Sequence, residues 1–114
     1  MSAQAPRPET DAGPLLGSAS VLVFGSLTTV IASGEFDAGT LHGLAEALEL
    51  ACTKGTNVVL DMTGVSFLDG AALRLVENAA ATLVAAGRSL RITHAPTVVV
   101  RLIHVAKAAQ LLQR

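Results

Sequence analysis

The sequence has no tryptophan, no tyrosine and three phenylalanines in 114 residues, and its only cysteine is Cys52. Without tryptophan or tyrosine there is little from which to build a platform for unstacked bases, and a net charge of −1 with a pI near 6.3 supplies no basic field toward phosphates. Nucleic-acid binding is disfavoured on both grounds. A lone cysteine makes no internal disulfide, so the fold must be held by packing. The hydrophobic content of 51% and mean hydropathy of +0.55 are high, yet charged or polar residues interrupt every stretch well short of the roughly 20 apolar residues that cross a bilayer. No membrane insertion is expected. The start of the chain shows no charged segment followed by an apolar run and a cleavage site, so a cytoplasmic location is expected.

Catalytic patterns are also missing. His42, His94 and His104 fall in separate elements without metal-ligand spacing, and there is neither a Gly-x-Ser-x-Gly elbow nor a Gly-x-x-x-x-Gly-Lys-Ser/Thr phosphate loop. The expectation is no enzyme, no metal and no cofactor. Cys52, set in an apolar helix pattern, reads as a small hydrophobe rather than a reactive thiol.

What is present is one domain's worth of alternating strand and helix signals. Residues 1–14 hold Pro6, Pro8 and Pro14 among polar residues and read as a flexible tail, leaving 15–114 as the domain. Ser20 to Phe24 and Leu27 to Ser33 are strand candidates joined by Gly25-Ser26, a hairpin spacing, with the first strand at an edge. Leu41, Leu44, Leu48 and Ala51 then recur at helical spacing up to Gly55. Val58 to Leu60 reads as a central strand buried on both faces and ending near Asp61-Met62-Thr63-Gly64. Asp69 is a good N-cap for a helix carrying Leu73, Val76, Ala80 and Leu83, which runs to Ala86 and stops at Gly87. Ser89 to Thr93 is a short strand, returning parallel to the central one. A last helix starts near Pro96 with Val99, Leu102, Ile103 and Ala106 on one face. Whether Lys107 to Arg114 extends it is open in the sequence. The fold class is α/β, a mixed and mostly parallel sheet of about four strands with three to four helices covering one face more fully than the other.

Two segments carry a family resemblance. Val59-Leu60-Asp61-Met62-Thr63-Gly64-Val65 with Phe67-Leu68-Asp69, and before them Ser33-Gly34-Glu35-Phe36-Asp37, resemble in order and spacing the signature of STAS domains, specifically the bacterial anti-sigma-factor antagonists. The resemblance covers roughly residues 19–112. It implies a non-enzymatic regulatory module that binds a protein, an anti-sigma factor or a kinase-like regulator, and acts by competition. The alternative within the same fold is an adaptor or structural subunit of a lipid-transport or stressosome-like complex. Nothing in the sequence decides between monomer and homodimer.

The resemblance also marks the candidate partner surface as Asp37, Ser66, Asp69, Gly70, Ala71 and Arg74. In the antagonists the residue after the signature Asp is a serine or threonine that a kinase phosphorylates. Here it is Gly70, followed by Ala71 and Ala72, and none of the three carries a hydroxyl. Phosphorylation at the usual position is excluded. Ser66 and Thr63 are the nearest hydroxyls and the only weak candidates for a displaced site; Ser66, flanked by Val65 and Phe67, reads as a partly buried loop hydroxyl bonded to backbone.

Overall fold

The computed structural model describes residues 16–112, so the tail expected over residues 1–14 lies outside the described residues. The order of elements is β1 (Ser18–Phe24), β2 (Leu27–Phe36), α1 (His42–Cys52), β3 (Asn57–Leu68), α2 (Gly70–Ala85), β4 (Leu90–Thr93), α3 (Thr97–Val105) and a 3-10 turn over Ala109–Leu111. The strands form a single sheet in the order β1-β2-β3-β4, with β1 antiparallel to β2 and the other two pairings parallel. Each parallel step is made through a helix and in the same direction, which for right-handed crossovers puts α1 and α2 on one face of the sheet.

Register explains where the core sits. Val30 pairs with Leu60 and Leu60 with Ile92, so these side chains share a face, as do Thr28, Val58 and Leu90 one step earlier. All are buried, and they join Leu44 and Leu48 of α1, Leu73, Val76 and Leu83 of α2, and Val99 and Ile103 of α3 in one contiguous core. Thr28 is the one buried polar side chain among the described residues, and its hydroxyl lies 2.6 Å from that of Thr56. The alternate positions point the other way. Leu22 and Ile31 are exposed there, and Thr29, Val59, Asp61 and Thr93 are only partly covered.

Several expected boundaries shift for identifiable reasons. β3 is not buried on both faces: Val58, Leu60 and Met62 alternate with partly or fully exposed Asn57, Val59 and Asp61, because helices cover only one side. Nor does it end at Asp61 to Gly64. The strand runs on to Leu68 across two bulges, one near Met62-Thr63 and one at Ser66, where it has an extra residue opposite β2. Gly64 permits this continuation, since a Cβ there would lie 2.8 Å from that of Ser33. β2 likewise continues past Ser33 through Gly34 and Glu35 to Phe36. In α2 the inward residue is Ala79, with Ala80 half-buried.

α2 and α3 end with the same device. At the end of α2 the Arg88 N–H donates to the Leu83 carbonyl and Gly87 N–H to that of Val84, with Gly87 left-handed at φ 77°. At the end of α3 the Ala108 N–H donates to Ile103 and Lys107 N–H to His104, with Lys107 itself left-handed at φ 59°. This turn stops α3, and the chain returns through the 3-10 turn to lay Leu112 beside Ile92 at the β4 edge.

Candidate functional site

The parallel strands β2 and β3 end side by side, so the loops that follow them meet. The Asp69 N–H donates to the Phe36 carbonyl at 3.0 Å, joining the two strand ends. Asp69 is then extended at φ −96°, ψ −178°, and one carboxylate oxygen accepts from the Ala72 N–H at 3.0 Å, an N-cap as the sequence suggested. The other oxygen accepts from the Ala38 N–H of the neighbouring loop at 3.2 Å. One side chain therefore caps α2 and ties the β2–α1 loop to it.

That loop is folded by Asp37 and Thr40. The Asp37 carboxylate accepts from the Gly39 N–H at 2.8 Å, and the Thr40 N–H donates to the Asp37 carbonyl at 3.0 Å. The Thr40 hydroxyl accepts from the Asp37 N–H and lies within donating distance of the Glu35 carbonyl and the Asp37 carboxylate, 3.0 and 3.1 Å away. Asp37 thus shapes a turn five residues ahead of α1 and does not cap that helix, whose preceding residue is Leu41. With these N–H groups held by carboxylates and a hydroxyl, the backbone of Ala38 and Gly39 is presented to solvent in a fixed shape.

The expected residues divide into a group that assembles and two that stand apart. Asp37, Asp69, Gly70, Ala71 and Arg74 come together around the start of α2, with Gly70, Ala71 and Arg74 exposed. A Cβ at Gly70 would meet nothing within 4 Å and its φ is an ordinary helical one, so the missing side chain leaves open space. Ser66 is exposed rather than partly buried and sits in a strand bulge rather than a loop; the upstream bulge near Met62-Thr63 turns Val65 inward, and alternation from Val65 then turns Ser66 outward. Thr63 is further back along β3, about 20 Å of strand before Asp69, and its hydroxyl donates to the Asp61 carboxylate at 2.6 Å. The same carboxylate accepts from the Thr63 N–H and faces His94 Nδ1 at 3.4 Å. These contacts, those of Thr63 first, hold the Asp61 pKa below the usual carboxylate value.

Phe67 is the neighbour that sequence reasoning missed. It lies in the apolar run from Val65 to Leu68, and the Ser66 bulge leaves it 41% exposed. Ala38, Gly39 and Thr40 were also missed, although the order Asp-x-x-Thr is the signal of a turn held by its own side chains. The site offers hydrogen-bond acceptors, small exposed residues, one cation and one ring. Among the described residues no group of three His, Cys, Asp or Glu side chains could hold a metal ion, and no helix is long and apolar enough to cross a membrane.

Comparison with known proteins agrees with this architecture. The solved structure of the anti-sigma factor antagonist SpoIIAA in its unphosphorylated form matches with a TM-score of 0.72 at 13% identity, covering 84% of this chain and 86% of that one. An anti-sigma factor antagonist from Mycobacterium paratuberculosis matches with a TM-score of 0.70 at 18% identity, covering 84% and 82%. The phosphorylated form of SpoIIAA, the Bacillus cell fate determinant, gives 0.64 at 13% identity over 84% and 89%. Identities this low establish a shared fold. Among curated protein sequences none matches. The family model described as "Mlab, STAS domain" matches residues 25–113, nearly the whole of the described chain, and the protein belongs to the STAS domain family.

Proposed function

We propose that this protein is a non-enzymatic protein-binding regulator that acts as an anti-sigma-factor antagonist, occupying an anti-sigma factor and so releasing the sigma factor it holds. The observation that carries the reading is the pair of loops tied by Asp69, which presents Ala38-Gly39, Gly70-Ala71 and Arg74 as one exposed surface on a fold shared with such antagonists. Binding at this surface is by shape and hydrogen bonding, with Arg74 the one cation among the expected residues.

Gly70 sets the regulation. A phosphate on the first residue of a helix is well placed, since free N–H groups and the helix dipole favour it, and it adds close to two negative charges. With no hydroxyl at Gly70, Ala71 or Ala72, the surface stays in one electrostatic state and the complex is not released by modification there. The test is a competition: the purified protein is titrated into a preformed complex of sigma factor and anti-sigma factor, with and without ATP and the cognate kinase. Displacement of sigma, unchanged by ATP, is expected. If ATP abolishes displacement and phosphate is found on Ser66 or Thr63, the switch has moved rather than vanished.

The same observation favours one other reading. A STAS subunit that never needs release suits a permanent assembly, so an adaptor role in a lipid-transport or stressosome-like complex is the alternative. Under it the protein fails to displace any sigma factor and copurifies at fixed stoichiometry with a larger complex.

A further inference from the structure

The two edges of the sheet are treated differently. β4 is four residues long, carries exposed Arg91 and has Leu112 laid beside Ile92, so it is short, charged and partly covered. These are the usual protections of a sheet edge. Among the described residues β1 has none of them. Ser-Ala-Ser-Val-Leu-Val-Phe contains no charge and no proline, and its pairing with β2 runs without a bulge from Ser18 to Phe24. Because Gly25-Ser26 is a two-residue loop, Phe24 and Leu27 form a hydrogen-bonded pair, and the alternate residues Val23, Val21 and Ala19 turn N–H and C=O away from β2.

Apolar side chains flank this free ladder on both sides. On the open face of the sheet Leu22, Phe24 and Ile31 are 58%, 86% and 43% exposed; on the helix side are Val23 at 48% and Leu50 of α1 at 47%. We propose that β1 is the contact surface of a homodimer, in which two copies pair antiparallel about a twofold axis through Val21 into one continuous eight-stranded sheet. A second copy fits because the edge complements itself. Val21 of one copy meets Val21 of the other, Ala19 meets Val23, and the strand itself brings no charged side chain to the contact. The edge is about 24 Å long, and with the flanking strip it offers on the order of 500 Å² per copy, near the lower limit for a specific pair. The dimer is therefore concentration-dependent. The N-terminal segment is a poor alternative occupant, since Pro6, Pro8 and Pro14 lack the N–H that a ladder needs.

The experiment is sedimentation equilibrium of the full chain from low to several hundred micromolar, with amide exchange at both ends of the range. The mass should rise from 11.6 kDa toward twice that value, and the Ala19, Val21 and Val23 amides should gain protection with concentration. Leu22→Lys places like charges across the axis and should weaken dimerisation at least tenfold. Val23→Pro deletes an outward N–H unused among the described residues and should do the same, both variants keeping the wild-type circular dichroism and denaturation midpoint. A monomer across the whole range overturns the proposal, as does a dimer unaffected by both substitutions or one whose concentration-dependent protection lies away from β1.

Discussion

Asp69 accepts from Ala72 through one carboxylate oxygen and from Ala38 through the other, so losing it removes both a helix cap and the strut between two loops. Asp69→Ala should cost about 0.5–2 kcal/mol for the cap, measured as a shift in denaturation midpoint. Asp69→Asn separates the two roles. Its amide oxygen keeps the cap, but its NH₂ group cannot accept from Ala38, so stability should fall less than in the alanine variant while exchange at the Ala38 amide quickens. Equal losses in both variants would show that the strut, not the cap, carries the stability.

Asp61 gives a pH signature at the same scale. Its carboxylate is held below its usual pKa by the Thr63 hydroxyl and N–H, and less strongly by His94. A depressed folded-state pKa means that the charged form is favoured in the native protein, so its contribution is complete above the unfolded value near 3.8 and is lost as pH falls through the lower folded value. Asp61→Asn should flatten the decline in stability below about pH 4. A variant with the wild-type acid profile would contradict the assignment.

At the scale of elements, what could be read in the sequence depended on whether a residue type announces its backbone. Gly87 signals the left-handed stop of α2, and the helix does end there. The same turn at the end of α3 is made by Lys107, which carries no such signal, so the sequence left open whether the helix continued. Lys107→Gly should relieve the cost of a left-handed non-glycine residue and raise stability by roughly 1 kcal/mol, detectable as a higher denaturation midpoint; a decrease would mean that the Lys107 side chain makes a compensating contact. β3 shows the converse. Its aliphatic start was legible as a strand, but both bulges depend on pairing with β2, a long-range fact that no local pattern carries. Hence the sequence reads Ser66 as a partly buried loop hydroxyl where the structure has an exposed strand residue, whereas Asp69, whose role as a cap is local, is legible from the sequence.

For the whole molecule, two parallel strand-helix steps in one direction bring the ends of β2 and β3 together, and the proposed partner surface rests on that adjacency. The antiparallel hairpin lies with its tip at the other end of the sheet, so an edge contact through β1 and a partner at the start of α2 can coexist. The central claim is that the start of α2 is the partner surface and that Gly70 keeps it permanently in the binding state. The most direct measurement is isothermal titration of the anti-sigma partner with wild type and Gly70→Asp, under a circular-dichroism control for folding. Open space around Gly70 means that the new carboxylate should be accommodated without loss of fold, and its charge should weaken binding tenfold or more. Unchanged affinity in a folded Gly70→Asp variant would contradict the claim and move the partner surface elsewhere.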